Sequence, residues 1–405
     1  MNNRTSFRTI HSHLGNCHPW TLALFGAGLL TCPAVAFADE APASVQTALS
    51  ATTLSGYVDT SAQWNFGTGN ANTPAYAFGG SSKADGFNLN VVKLSIAKPA
   101  DSGDAWSAGY QADLIFGPDA DLLATQSSGV ASDFGVRQAY VSLHAPVANG
   151  FDFKLGVWDT ILGYEVTDSA SNPNFTRSYG YTIEPPTHTG LLGAYQFCEG
   201  VSAMVGVANT FGPKINQRAF PPEGPRAESY KSYMGSLALT APKSWGFLAG
   251  STLCGCVLNG FDSGAPGGPA DQTSWYIGGT INTPVAGLKI GAGYDYAGVS
   301  GQPVTSDHAS YANATAIYAS YQATEKLSLH ARGEYASSDT MLLGAHQLFA
   351  TTATVQYDLW KNVLSRLEFR WDHAADGSKA YGGTVAGAPD KKNSYILLAN
   401  VVYKF

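Results

Sequence analysis

The segment that decides the fold is residues 394–405, Ser-Tyr-Ile-Leu-Leu-Ala-Asn-Val-Val-Tyr-Lys-Phe. Side chains alternate between the two sides of a β-strand, so alternate residues of this segment share one wall. One wall is entirely apolar and the other is mixed. A buried strand of a soluble β-sandwich can show the same alternation, although such a strand seldom stops on an aromatic residue. The apolar wall consists of Tyr395, Leu397, Ala399, Val401, Tyr403 and Phe405.

The opposite end of the sequence has the three parts of a secretory signal peptide. Arg4 and Arg8 precede an apolar run from Trp20 to Leu30, and 36–38 reads Ala-Phe-Ala, a small-x-small cleavage site. The run is shorter than the roughly 20 apolar residues that a transmembrane helix needs. We therefore expect cleavage after Ala38, export from the cytoplasm and a short periplasmic lead-in at 39–52.

The composition favours a strand-rich membrane protein over a soluble one. The chain has 45 Gly, 21 Tyr and 19 Phe, and only 13% of its residues are charged. Transmembrane β-barrels need apolar residues outside, small or polar residues inside and aromatic residues at the membrane interfaces. Removing Arg4 and Arg8 changes the formal charge from −7 to −9, which argues against nucleic-acid binding.

Three cysteines remain in the predicted mature chain: Cys198, Cys254 and Cys256. An odd number in an oxidising compartment leaves at least one thiol free or bridged to another chain. Cys254 and Cys256 share one side of a predicted strand and are poorly placed to bond each other. Neither a CxxC motif nor zinc-ligand spacing is present, so we expect small side chains that fill space and no cofactor.

Period-two patterns recur along residues 53–405 and predict a single domain of sixteen antiparallel strands. In 326–335, for example, Leu327, Leu329 and Ala331 oppose Arg332 and Glu334. Charges at this density on a second face are unusual for a soluble core and typical of the wall of an aqueous pore. Sixteen to eighteen strands leave such a channel open, whereas eight would be filled by side chains.

Seven short and eight long connections alternate along the chain, as in bacterial barrels with short periplasmic turns and long extracellular loops. The short ones are 98–104, 145–150, 199–200, 242–244, 283–287, 324–325 and 360–362. The long ones, rich in Gly, Pro and Ser, are 67–85, 117–133, 163–187, 212–229, 259–272, 300–311, 337–345 and 375–392. The alternation and the terminal Phe405, which resembles the C-terminal signature of outer-membrane barrels, predict contacts with outer-membrane lipid, lipopolysaccharide and the barrel-assembly machinery.

Two further segments carry a resemblance to a known family. They are 137–141, Arg-Gln-Ala-Tyr-Val, and 163–190, with Gly-Tyr-Glu-Val-Thr-Asp, Asn-Pro-Asn-Phe-Thr-Arg-Ser and Pro-Pro-Thr-His-Thr-Gly. Together they resemble the β-barrel porin type 2 (OmpL-like) family of Gram-negative outer membranes, from about Leu54 to Phe405. The resemblance implies an outer-membrane porin, and the width of a sixteen-stranded barrel predicts passive diffusion of small hydrophilic solutes and ions. It implies neither a substrate nor an agreed set of functional residues.

The long connection at 163–187 joins the fifth and sixth predicted strands, where porins of this size fold a loop inward to narrow the pore. Constrictions of this type set loop acids against basic wall residues. The loop candidates are Glu165, Asp168, Arg177, Tyr179, Tyr181 and Glu184, and the wall candidates are Lys93, Asp113, Lys154, Lys289, Asp295, Arg332, Glu334, Arg366, Glu368 and Arg370. A wall charge in a barrel is more often part of a salt-bridged lining than a determinant of selectivity, and Arg137 is ambiguous because its strand alternates poorly.

Three other functions remain open at this stage. A sugar-selective porin would need a track of aromatic side chains, to which Trp158, Tyr179 and Tyr181 could contribute. A structural or adhesive barrel would have a blocked lumen. An outer-membrane hydrolase is disfavoured, because the histidines are scattered and no nucleophile motif is present. Homotrimers are expected by analogy with porins of this size.

Overall fold

The computed structural model describes residues 45–46, 51–67, 69–75, 81–125, 132–218, 230–262, 270–300, 309–339 and 343–405. The predicted signal peptide, 1–38, with its cleavage site after Ala38, lies outside the described residues. Of the predicted lead-in at 39–52, the structure describes a two-residue strand, β1 (Val45–Gln46), which pairs with Leu54 and Thr53.

Sixteen antiparallel strands form a closed barrel in which each strand pairs with its neighbour in sequence, and the last strand pairs with β2. The predicted fold class and strand number are confirmed. The strands are β2 (Thr53–Asn65), β3 (Gly86–Lys98), β4 (Ser107–Phe116), β5 (Phe134–Ala145), β6 (Phe151–Asp159), β7 (Thr187–Cys198), β8 (Val201–Ala208), β9 (Ser232–Thr240), β10 (Thr252–Asp262), β11 (Ala270–Asn282), β12 (Leu288–Val299), β13 (Ser310–Gln322), β14 (Leu327–Ser338), β15 (Gln347–Trp360), β16 (Val363–Ala374) and β17 (Asn393–Lys404).

Closure pairs every strand on both sides, and this satisfies the backbone groups that would otherwise face lipid unpaired. The alternation of side chains follows the sequence pattern. In β11, Trp275 is 39% exposed and Ile277 is 49% exposed on the outside, whereas Tyr276 between them is 1% exposed on the inside. The outer wall is therefore apolar, and the inner wall holds the polar and charged side chains.

The connection between β9 and β10 differs from the short turn predicted at 242–244. The structure has a longer turn, in which residues Lys243–Leu248 form 3-10 helical turns and β10 begins only at Thr252. Gly246 and Gly250 have positive φ angles, so the chain bends where the sequence pattern suggested an extended strand. Trp245 and Phe247 are consequently exposed on this turn and do not lie on the barrel wall.

Helices are short and lie in the long loops. Helix α1 (Ala120–Leu123) lies between β4 and β5, and helix α2 (Tyr179–Ile183) lies between β6 and β7. Within the described ranges, no helix is long and apolar enough to cross a membrane.

The loop between β6 and β7, residues 160–186, is named L3 because it is the third long connection. It begins three residues earlier than the predicted boundary at Gly163. Buried apolar side chains of L3 and of the inner wall belong to common clusters: Ile161, Leu162 and Tyr164 with residues of β5–β11 and β13, Phe175 with residues of β2–β4, α1, β16 and β17, and Tyr179 and Ile183 with residues of β12–β16. L3 thus lies inside the barrel.

Candidate functional site

L3 crosses the barrel interior and contacts the wall far from the strands that carry it. Near its start, the Tyr164 hydroxyl lies 2.9 Å from the Thr280 hydroxyl on β11. In its middle, the backbone N–H groups of Phe175 and Thr176 donate to the Glu368 carboxylate on β16 at 2.6 and 2.9 Å. The loop therefore covers the inner wall from β11 to β16.

Arg332 on β14 is the centre of this contact. Its guanidinium donates to Glu165 of L3 at 2.8 Å, to Glu334 on its own strand at 2.6 Å and to the Thr176 carbonyl oxygen at 2.7 Å. The side chains of Arg332, Glu165 and Glu334 are at most 1% exposed. The planar guanidinium of arginine presents five N–H donors in fixed directions, so this one side chain can serve two carboxylates and a carbonyl oxygen together.

Two neighbouring arginines of β16 hold the L3 backbone in the same way. Arg370 donates to the Arg177 carbonyl oxygen at 2.7 Å, and Arg366 donates to the carbonyl oxygens of Ser169 and Asn172 at 3.0 and 2.8 Å. Strand carboxylates bind the loop N–H groups: Glu334 accepts from Tyr179 N–H at 2.7 Å. The wall charges on β14 and β16 thus replace solvent around the loop backbone, which would otherwise be buried unpaired.

Arg177 lies within L3 and stabilises its fold. It is fully buried, and its guanidinium donates to the carbonyl oxygens of Val166, Phe175 and Thr167 at 3.1, 2.7 and 3.0 Å. Asn172 bridges the same turn through hydrogen bonds with the Val166 backbone. A positive side chain that the sequence places at the constriction is therefore directed into the loop.

On its other side, L3 faces the wall at β3–β6 through partly exposed charges. Lys93 on β3 bridges Asp168 of the loop at 2.8 Å and Asp113 on β4 at 3.1 Å. The Asp168 side chain is 33% exposed, compared with 11% for Lys93 and 0% for Asp113. This side of the loop is the only part of the described L3–wall contact at which ion pairs reach solvent to this extent.

Arg137 and Asp159 extend the charged wall to β5 and β6. Arg137 Nε donates to Asp159 at 2.7 Å, and the Asp159 side chain is 25% exposed. Next to them, Lys154 Nζ lies 4.6 Å above the Tyr140 ring, and the Tyr140 hydroxyl donates to Gln111 at 2.9 Å. The negative charges of Asp159 and Asp113 also stabilise the Lys154 ammonium group.

A cavity of about 40 Å³ lies beneath L3 at this point and is large enough for one or more water molecules. Arg137, Asp159, Glu165, Tyr181 and Glu184 are among its lining residues. The surface of the loop that faces β5 and β6 is therefore polar.

At the end of L3, Glu184 forms a hydrogen bond with Asp295 on β12. Gly163 has a φ of +103°, and a Cβ atom there would lie 2.1 Å from Glu184 Oε2. Burial, followed by the nearby Asp295 carboxylate, holds the pKa of Glu184 well above its usual range. We expect the two carboxyl groups to share one proton, because two ionised carboxylates in contact repel each other.

The Glu184–Asp295 pair predicts that the stability of the folded barrel depends on pH. A carboxyl group whose pKa is raised by folding stabilises the folded state at low pH, and this stabilisation is lost as pH rises through the raised value. We expect this pair to contribute on the order of 1 kcal/mol more to the stability of the folded barrel at about pH 5 than at about pH 7. Urea unfolding in lipid vesicles at both pH values measures the gain.

Glu184→Gln should flatten this pH dependence, because the amide keeps a hydrogen-bond donor at all pH values. Glu325→Gln is the matched control, since Glu325 is an exposed carboxylate on a periplasmic turn. Equal pH slopes for the wild type and Glu184→Gln would contradict the shared proton.

The predicted site residues fall into three groups in the structure. Loop and wall residues that meet in the buried contact are Glu165, Arg177, Tyr179, Arg332, Glu334, Arg366, Glu368 and Arg370, and those around the solvent-exposed side are Lys93, Asp113, Lys154, Asp168 and Tyr181. Glu184 and Asp295 pair at the end of the loop, and Lys289 is the second residue of β12. Trp158 and Tyr179 are fully buried, so an aromatic track with Tyr181 is not assembled.

Sequence reasoning missed Asp159 and left Arg137 ambiguous. A β-bulge explains the ambiguity of Arg137. Asp113 and Leu114 pair with Gln138 and Val136, so Arg137 is an extra residue that interrupts the alternation. Asp159 is the last residue of β6, where the alternation ends. The Arg137–Asp159 ion pair is visible only once the two strands are aligned.

Comparisons with known proteins agree with this fold. The family profile described as "Putative beta-barrel porin-2, OmpL-like" matches residues 51–405. The sequence matches no curated protein.

Among solved structures, OmpT of Vibrio cholerae is 14% identical with a TM-score of 0.56, over 90% of this chain and 100% of that chain. An anion-selective porin from Comamonas acidovorans is 13% identical with a TM-score of 0.56, over 87% and 99%. The channel DcaP of Acinetobacter baumannii is 14% identical with a TM-score of 0.55, over 87% and 97%. At these identities the similarity shows a common fold alone.

Proposed function

The chain belongs to the β-barrel porin type 2 (OmpL-like) family and is a porin of the bacterial outer membrane, and from this premise we propose that its solutes pass between L3 and the wall at β3–β6. The observation that carries the proposal is the uneven solvent exposure of the charges around L3, a loop whose Phe175 also packs in a buried cluster with residues of β2–β4. The charged side chains on β14 and β16 are buried against the loop. On the opposite side, the side chains of Asp168 and Asp159 are 33% and 25% exposed to solvent.

The charges around this passage give an expectation for ion preference. Three carboxylates, Asp113, Asp159 and Asp168, face three cations, Lys93, Arg137 and Lys154. The carboxylates of Asp159 and Asp168 are more exposed than the Arg137 and Lys93 side chains bonded to them. We therefore expect weak selectivity with a modest preference for cations. This would differ from the solved Comamonas porin, which is described as anion-selective.

Assembly and surroundings complete the proposal. OmpT, which shares the fold, has been solved in a trimer form, and this supports a homotrimer for the present chain. Contacts with lipopolysaccharide, and recognition of the final strand by the barrel-assembly machinery, remain predictions. So do the signal peptide at 1–38 and the domain beginning at residue 53. Diffusion through a barrel needs no covalent chemistry, and we propose no enzymatic activity.

Planar-bilayer recording of the refolded protein in a salt gradient tests the passage. We expect stable conductance steps and a reversal potential whose sign indicates cation preference. Asp168→Asn should reduce or reverse that preference, because it removes the most exposed carboxylate of the bridge. Glu325→Gln, an equivalent change on an exposed periplasmic turn, should leave it unchanged.

A folded barrel that conducts no ions would contradict the proposed passage and favour a structural or adhesive barrel. Conductance with an Asp168→Asn reversal potential equal to that of the wild type would place the ion path elsewhere in the lumen.

A further inference from the structure

Two thiols lie together on the inner wall, outside the proposed solute passage. Cys254 and Cys256 are inward residues of β10, with their Sγ atoms 3.4 Å apart and with 1% and 6% of their surfaces exposed. The Cys256 thiol donates to the Ile161 carbonyl oxygen at the start of L3, 3.0 Å away. The pair therefore touches the segment from which the loop enters the lumen.

The pair belongs to a mainly apolar cluster, near which lie further sulfur, unpaired oxygen and the carboxyl groups of Glu184 and Asp295. Cys256 stands opposite Ser236 on β9 and Tyr276 on β11. The hydroxyl groups of both residues are buried without a hydrogen-bond partner among the described residues. Met234, which belongs to the same buried cluster, stands opposite Leu258 and is thus a diagonal neighbour of Cys256.

Strand geometry disfavours a disulfide between these thiols. Residues two apart on a strand are separated by about 6.6 Å along the chain, whereas a disulfide requires Cβ atoms roughly 3.5 to 4.5 Å apart. A bridging metal ion spans the difference, because two metal–sulfur bonds of about 2.3 Å each place the sulfurs roughly 4.6 Å apart. Small rotations of the two side chains would suffice.

The burial of the two thiols selects the charge of the ion. Two thiolates and a divalent ion form a neutral unit, whereas two thiolates and a monovalent ion leave a net negative charge, which is costly to bury. Thiolate and thioether ligands select soft ions. We propose that Cys254 and Cys256 form a site for one soft, thiophilic divalent cation, with Met234 as an additional sulfur neighbour.

Binding is an exchange of protons for the ion. The two S–H bonds break, two metal–sulfur bonds form, and two protons leave to solvent, with no change of oxidation state. The hydrogen bond from Cys256 to Ile161 is lost in the same step. Binding of the ion should therefore increase the mobility of the start of L3 and change the single-channel conductance.

The test uses Hg²⁺ as the probe and the mature chain, predicted to begin at Asp39, with Cys198→Ser. Cys198 is exposed and would otherwise react by itself. In the folded protein we expect one Hg²⁺ per chain, two protons released per ion and simultaneous protection of both thiols from alkylation. A rise in ultraviolet thiolate-to-metal charge-transfer absorption should reach its plateau at one equivalent.

The variants Cys254→Ser and Cys256→Ser should each lose at least tenfold in affinity, because each keeps a single thiol. A protein that retains Cys198 but carries both Cys254→Ser and Cys256→Ser is the matched control for a lone exposed thiol. Two ions per chain, affinity unaffected by either single substitution, or binding seen only after unfolding would each overturn the proposal. Since the readout is stoichiometry, it is independent of the solute passage.

Discussion

Replacing Arg332 by alanine should detach L3 from the wall and destabilise the barrel by about 3–5 kcal/mol, the usual cost of removing one partner from a buried ion pair. The substitution leaves the Glu165 and Glu334 carboxylates buried without their shared cation. It also leaves the Thr176 carbonyl oxygen without the donor that now lies 2.7 Å away. Urea unfolding in lipid vesicles measures the loss.

The same substitution should change conduction. A released loop would leave a wider and less constant passage, so we expect larger and noisier single-channel currents. Lys326→Ala, at an exposed position on a periplasmic turn, is the matched control and should change neither property.

A second variant distinguishes the effect of breaking the Arg332–Glu165–Glu334 ion pairs from the effect of lost packing. In Arg332→Met with Glu165→Gln and Glu334→Gln, no uncompensated charge remains, so this triple variant should be more stable than Arg332→Ala. If Arg332→Ala unfolds at the wild-type urea concentration and conducts as the wild type does, the attachment of L3 through Arg332 is wrong.

Replacing Lys154 by glutamate should make the porin strongly cation-selective. The substitution changes the balance of three cations and three carboxylates to two cations and four carboxylates around the proposed passage. Two unit charges 4 Å apart interact by about 1 kcal/mol in water. A change of two charges should therefore shift the permeability ratio several-fold to roughly tenfold. Reversal potentials in a KCl gradient measure this ratio.

Lys154→Gln removes the charge without adding a carboxylate and should give about half of the effect in free energy. It allows the same measurement if Lys154→Glu does not fold. Lys326→Glu makes the same charge reversal on an exposed periplasmic turn and should leave the ratio nearly unchanged. A wild-type ratio for a folded Lys154→Glu barrel would exclude Lys154 from the ion path.

The barrel could be predicted from the sequence because its strands obey a local rule. Lipid outside and a polar interior impose a two-residue period on each strand, so Trp275, Tyr276 and Ile277 already carry the alternation that the structure displays. Prediction fails where a local irregularity breaks the period. The bulge at Arg137 makes the direction of that side chain ambiguous, and the turns at Gly246 and Gly250 make the connection between β9 and β10 longer than predicted.

The candidate site was predictable in position and composition but not in its contacts. The place of L3 between the fifth and sixth barrel strands, and its charges, follow from the order of loops along the chain. Which wall charges it meets does not, because Glu165 and Arg332 are 167 residues apart in sequence. An inward arginine that lines water and one that binds a loop carbonyl oxygen look the same in the alternation.

The barrel, the number of its strands and the lipid-facing side of each strand follow from the amino-acid sequence alone, because they depend on residues two apart. Three-dimensional packing sets the position of L3 against β11–β16, the burial of Arg332, Arg366 and Arg370 beneath it, and the contact of Lys93 with Asp168 on its exposed side. Those contacts depend on how a closed barrel brings distant strands around one loop, and no local period encodes that distance.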